Sequence, residues 1–204
     1  NLTVLVAGDV DSEAVLGWVN KYYGNFQKRD LPTRKPRLEP LQTGERRVAV
    51  TGPTKTPFFV KLWKAPVITE KSGPMVSSNI VARNVVAMGT LSLLLGDNET
   101  GHLIKKLVRK DRKAISISVG SSWMSRGPGY FVVDATPASG VSLQELESEI
   151  NFEIQDIIRT GINEVALKRI KRQARAEEVF MRDSIMSQLR EASSLINVGR
   201  PLSD

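Results

Sequence analysis

Residues 114–136 read AISISVGSSWMSRGPGYFVVDAT, and how this stretch divides decides the fold. Two runs of β-forming residues, 114–122 and 130–136, flank the SRGPG segment at 125–129. Two glycines and a proline in five residues cannot continue a strand, so the stretch predicts two strands joined by a turn. Just beyond it, Val141-Ser142-Leu143-Gln144-Glu145-Leu146 is a capping box. Ser142 caps, Glu145 reaches back, and Val141 staples to Leu146. Ile162-Asn163 with Leu167 repeats the staple with Asn as the cap. Helices are therefore predicted over 143–159 and from 164 to about 197.

On the N-terminal side of the hairpin a short helix is predicted over 102–110 and a turn over 96–100. The longest apolar run, IVARNVVAMGTLSLLLG at 80–96, lies in a helix predicted over 79–95. Arg83, Asn84 and its length make it a buried helix rather than a membrane span. An irregular stretch at 68–78 precedes it. Two further strands are predicted at 45–51 and 58–65, the second alternating Phe59, Lys61 and Trp63 with Val60, Leu62 and Lys64. Residues 28–44, with three prolines and no periodicity, read as an extended connection. The chain opens with a strand at 2–8 and a helix at 12–23 that would bury Val15, Trp18, Val19 and Tyr22 and end at Gly24. The order is β-α-β-β-α-α-β-β-α-α. It predicts an α+β fold, a mostly antiparallel sheet with helices packed on one face. We read residues 1–204 as one domain, and the start almost inside a strand without an initiator Met as that of a fragment. No signal peptide opens it, which for a fragment carries no information on compartment.

The acidic turn GDVDSE at 8–13 invites a site reading, and its chemistry opposes one. A phosphate cradle needs several glycines, whereas Gly8 is alone and Asp9, Asp11 and Glu13 would repel the anion. A calcium loop needs alternating oxygens around a central Gly and a closing Glu, which are missing. Helix capping by Asp11, with Glu13 at the positive helix end, accounts for the same residues.

Composition excludes several chemistries. With 204 residues, 41% of them hydrophobic, the chain can bury a substantial core. Cysteine is absent, which removes disulfides, thiolate metal sites and thiol catalysis. One histidine, His102, even with Glu99 one turn before it, falls short of the three ligands a catalytic zinc needs. A Ser-His-Asp relay would need the same histidine, and no G-x-S-x-G elbow exists. His102 reads as a surface or helix-start residue. The net charge of +7 is spread out, densest in LKRIKRQARAEEVFMR at 167–182. There Leu167, Ile170, Ala174 and Met181 sit near helical spacing, leaving Lys168, Arg169, Lys171, Arg172 and Arg175 mostly on the other faces. No aromatic residues interleave and Glu177-Glu178 follow, so this is a solvated helix face rather than a nucleic-acid surface.

Taken in order, these segments resemble the C-terminal type, non-zinc-binding domain of the pitrilysin/insulinase family of zinc metallopeptidases, which includes processing-peptidase-like bacterial subunits. The resemblance rests on NLTVLVAGDVDSEAVLGWVNKYYGNF, QTGERRVAVTGPTKTPFFVKLWKAPVI, LLLGDNETGHLIKKLVRKDRKAISISVGSS, PGYFVVDATPASGVSLQELESEI and GINEVALKRIKRQARAEEVFMRDS. It implies that zinc is held elsewhere, by an H-x-x-E-H motif on a preceding domain or on a partner subunit; this chain has no H-x-x-E-H and no cofactor of its own. In members that divide the work, the second half carries an Arg and a Tyr seven residues apart that help hold substrate. The resemblance places Arg109 on the Arg and Ser116 on the Tyr, so the Arg is kept and the Tyr is lost. A small-residue-then-Arg pair after the glycine turn becomes Gly101-His102. Read without the resemblance, Arg109 is a cation offsetting a helix C-terminus. The resemblance thus implies a non-catalytic domain helping to enclose a chamber for unfolded peptide, with no nucleic acid and no membrane span. The alternative is a degenerate structural or assembly subunit. Exported relatives point to the bacterial periplasm.

Overall fold

The SRGPG turn reverses the chain as its composition requires, and the runs on either side pair. A computed structural model describes residues 2–27, 30, 40–97 and 100–203. The chain divides into two compact units, Asn1–Val6 with Lys55–Asp204, and Ala7–Thr54. In the larger unit three strands, β1 (Phe59–Ala65), β2 (Ala114–Ser121) and β3 (Gly129–Pro137), form an antiparallel sheet in the order β1-β3-β2. A bulge between Ala114 and Ser116 shifts the register at the start of β2.

The register sorts the sheet residues into two faces. Phe59, Lys61 and Trp63 stand beside Phe131, Val133 and Ala135, and these beside Ile117, Val119 and Ser121. Helices cover this face. Helix α2 (Ile80–Gly96) and a π-helix (Ile104–Lys110) pack over β2, and α3 (Leu143–Thr160) packs over β3. Helix α4 (Glu164–Asp183) packs on α2, and α5 (Ile185–Val198) on α4. The core joins Phe131, Val133 and Ala135 to Leu95, Leu103, Leu107, Leu146 and Ile150. Each fully buried side chain of this size contributes roughly 1.5–3 kcal/mol. Trp63 and Phe131 meet with ring centroids 6.0 Å apart. Val60 and Leu62, on the opposite face, are more than half exposed.

Helix α3 carries the polar ties. Leu146 and Ile150 are fully buried in the core. On one side of that apolar stripe, Glu147 and Asn151 accept from Lys61 of β1 at 3.2 and 2.9 Å. On the other, Glu149 and Glu145 hold Lys113, just before β2, and Glu153 meets His102. The spacings 145, 149, 153 and 147, 151 place each set on its own helical stripe.

A second, smaller core of Ile68, Ala82 and Val85 lies beneath the stretch expected to be irregular. Ile68 bridges to Met124, and Arg200 donates to the carbonyls of Thr69 at 3.1 Å and Gly73 at 2.8 Å. Thus 68–78 lacks periodicity yet is firmly tied, through partners far along the chain. In the unit Ala7–Thr54 the described residues form one helix, α1 (Ser12–Tyr23), capped by Asp11, whose carboxylate accepts from Ala14 N at 2.7 Å.

Several expectations need correction. The runs 2–8 and 45–51 are not strands. An apolar pattern gives a strand a face but not a hydrogen-bonding neighbour, and Val48 and Val50 are more than four-fifths exposed. Trp18 and Tyr22 are exposed rather than buried, because among the described residues α1 has no second element in its own unit to pack against. The single helix from 164 to about 197 is two, broken at Ser184, whose backbone is extended and whose hydroxyl caps α5 through Ser187 N. The helix over 102–110 is wound as a π-helix from Ile104, with Asp111 N bonded to Lys106 O. Half of the capping box forms: Glu145 N donates to Ser142 Oγ, while the Glu145 carboxylate turns to Lys113. A charge-assisted bond outcompetes one to a neutral amide. Residues 28, 29 and 31–39 of the expected connection, and Glu99, lie outside the described residues.

Two predictions follow from this packing. A Cβ on Gly96 would lie 2.6 Å from Val119 Cβ, so only glycine lets α2 end this close to β2. Gly96→Ala should lower unfolding stability by about 1–3 kcal/mol in denaturant titration. The hydrogen bond to Glu149, with Glu145 behind it, raises the pKa of Lys113 above the ordinary 10.5 against an opposing effect of burial. A raised folded value means that this contribution is complete below 10.5 and is lost as pH climbs through the folded value. Lys113→Met should therefore be the less stable protein at pH 8, and the gap between the two stability curves should shrink as pH climbs from 10.5 through the raised folded value.

Candidate functional site

The two residues expected to touch substrate lie at the two ends of one junction. Arg109 is exposed in the last turn of the π-helix. Ser116 is exposed on β2 just past the bulge, paired with Thr136 of β3. By register Ser116 shares its sheet face with Ser118, Asp134, Val60 and Leu62, the face opposite the helices. Between the two residues the chain passes Arg112, whose φ of 52° is in the left-handed region. A non-glycine residue there is strained. Lys113, next in line, is held by α3. The connection joining Arg109 to Ser116 is thus short and tethered. Since the sheet order is β1-β3-β2, β2 is an edge strand, with one side of its backbone facing away from β3.

The start of the same helix holds a group that sequence reasoning missed. Glu153 of α3 is 5% exposed, and its Oε2 lies 2.6 Å from Nε2 of His102. A glutamate at an inward position of an amphipathic helix, spaced by four and eight from two lysine-bound glutamates, was the available signal. His102 is indeed a half-exposed helix-start residue, and also the partner of a buried carboxylate. This donor set does not fit a zinc ion, since one imidazole and one carboxylate bonded to each other leave no third ligand. Among the described residues no group of three or more His, Asp or Glu is placed to hold a metal.

Two other candidates have less chemistry. The basic residues of α4 are partly engaged: Arg169 reaches the carbonyl of Thr100, and Lys168 lies 4.0 Å from Glu164. Of the four apolar positions expected to face inward, Ile170 is buried and Leu167 half-buried, while Ala174 and Met181 are exposed. From Ala174 to Asp183 every residue of α4 is exposed, so this half of the helix reaches past the core. A cleft of about 360 Å³ is lined by Met124, Ser125, Arg126, Ser194, Asn197 and Val198. Its cation, Arg126, already donates to the Asn197 carbonyl. No helix among the described residues is long and apolar enough to cross a membrane.

A small antiparallel sheet with helices on one face and an exposed arginine at a helix-to-strand junction define an α+β fold, and no metal-ligand cluster is found among the described residues. Residues 1–174 match the family model described as the Peptidase M16 inactive domain. The chain belongs to this family, as the resemblance of its segments implied. It is 26% identical over 181 residues to the zinc protease PqqE of Helicobacter pylori (strain ATCC 700392 / 26695), a match spanning 87% of this chain and 38% of that protein. It also superimposes, with a TM-score of 0.78 and 21% identity, on the crystal structure of a protease from Helicobacter pylori, over 95% of this chain and 44% of that one. The chain therefore spans less than half the length of these two relatives.

Replacing Arg112 tests the junction's geometry. Arg112→Gly removes the cost of a left-handed backbone and should raise stability by about 1 kcal/mol, measured as a shift in the denaturation midpoint.

Proposed function

We propose that this chain is the non-catalytic domain of a zinc metallopeptidase and forms one wall of a chamber that binds unfolded peptide. The observation that carries this reading is the junction: an exposed Arg109 leads through a tethered connection into a strand at the end of the sheet order, whose Ser116 and Ser118 are exposed. An extended peptide can add to such an edge through main-chain hydrogen bonds. A guanidinium beside it can give two parallel N–H bonds to a peptide carbonyl or terminal carboxylate, which Lys cannot reproduce. Membership of the inactive-domain family supports the division of labour. The zinc and the H-x-x-E-H helix would then belong to a preceding domain or a partner subunit, where the metal activates the attacking water. The residues of this chain would bind and orient peptide.

A second reading, a structural or assembly subunit without proteolytic role, is favoured by one feature. Ser116 stands where the resemblance expects a tyrosine, and a serine hydroxyl is too short to reach over a peptide bound at the edge. The two readings separate on Arg109. In the assembled enzyme Arg109→Ala should lower kcat/KM by about 1–3 kcal/mol, the range for a charge-assisted hydrogen bond, with Arg109→Lys failing to restore it. The melting midpoint should barely change, since an exposed helix-end cation contributes about 0.3–1 kcal/mol. Wild-type activity in both variants would leave the structural-subunit reading standing.

A further inference from the structure

We propose that His102 and Glu153 form a positioning latch for Arg109, holding the start of the 102–110 helix against α3 and so setting where the arginine at its far end stands. The inference rests on the peptide-contact reading of Arg109. Its basis is the 2.6 Å bond between a carboxylate that is 5% exposed and the imidazole that opens the helix. Among the described residues His102 is the polar side chain bonded to that carboxylate. A buried charge stripped of its partner is strongly destabilising, so the helix start cannot leave α3 without exposing or stranding Glu153.

The helix needs such a fixture. It begins with an ordinary bond from Lys105 N to Gly101 O and then widens, closing with Asp111 N on Lys106 O and Lys113 N on Leu107 O. Wide turns of this kind are looser than an α-helix and are common at functional sites. Leu103, Ile104 and Leu107 anchor the helix in the core, but apolar contact has no preferred direction. A short hydrogen bond does. Just before the helix Thr100 N and Oγ1 both bond Asp97 Oδ1 at 2.8 Å, and a Cβ on Gly101 would lie 2.7 Å from Asp97 O. At the other end stand the left-handed Arg112 and the clamped Lys113. Arg109 lies between a latched start and a tethered finish.

The test uses the assembled enzyme, with the apolar pair His102→Leu/Glu153→Met, Arg109→Ala, and all three changes together. Replacing both partners by apolar groups should leave the melting midpoint near wild type, because no charge is stranded. The amides of 105–111 should nevertheless exchange with solvent about tenfold faster or more. Arg109→Ala, costly alone, should change kcat/KM by less than about twofold when added to the apolar pair. Unchanged exchange at 105–111, or an equal cost of Arg109→Ala in both backgrounds, would make the pair merely structural and overturn the proposal. If Arg109→Ala is silent in the otherwise wild-type enzyme, the peptide-contact reading itself has failed and the latch falls with it. Should the apolar pair not fold, Glu153→Met alone, which removes the bond and leaves the half-exposed His102 to solvent, decides the same comparison by the same criteria.

Discussion

The larger unit depends on one constraint, the way α3 meets its surroundings along three parallel stripes. Leu146 and Ile150 form the middle stripe and enter the core opposite Phe131 and Val133 of β3. On one side Glu147 and Asn151 take Lys61 from β1; on the other Glu145, Glu149 and Glu153 take Lys113 and His102. An edge strand, the approach to the other edge strand and the start of the π-helix are thus fixed to one rigid element. Apolar burial supplies most of the favourable free energy, and the polar stripes set register. Lys61 shows why both are needed: it stands among Phe59 and Trp63 on the covered face, its ammonium 5.6 Å from the Trp63 ring, and the α3 acceptors make that position tolerable.

In the sheet of the larger unit β2 stands at the end of the strand order, with Ser116 and Ser118 exposed on the face opposite the buried core residues. The chain enters β2 from the π-helix through Arg112 and Lys113, so Arg109 and the edge strand share one short tethered connection. In the chamber reading this division is the functional design: one face binds the scaffold together while the other face and edge meet peptide. On that reading, a domain of an inactive-domain family would contribute to catalysis by orienting substrate at a distance from the bond that breaks.

Much of this was legible in the sequence for physical reasons that can be named. The SRGPG turn and its flanking runs gave the hairpin, Ser142, Asn163 and Asp11 gave three helix starts, and the 59/61/63 alternation gave the two faces of β1. These are local signals, written within a few residues. What the sequence hid is non-local or backbone-determined. Nothing near Lys61 or His102 announces Glu147 or Glu153, some 50 to 90 residues away. The π-winding of 104–110 has no local signature in the sequence, and the break at Ser184 rests on a lone capping serine inside an otherwise helical pattern. The runs 2–8 and 45–51 carried a strand's composition without a strand's partner. Of the candidate site, Arg109 and Ser116 came from family resemblance, and the buried Glu153 came from the fold.

The central claim is that α3 holds the sheet edges and the π-helix as one cooperative unit. Residue-resolved hydrogen exchange on Ile150→Ala tests it most directly, since Ile150 is fully buried in the middle stripe and its side chain makes no polar tie of its own. The account predicts that amides in β1, β2 and 104–110 lose protection together and by a common amount, on the order of the 2–5 kcal/mol such a truncation costs. Loss confined to α3, with β1 and the π-helix still protected as in wild type, would contradict it.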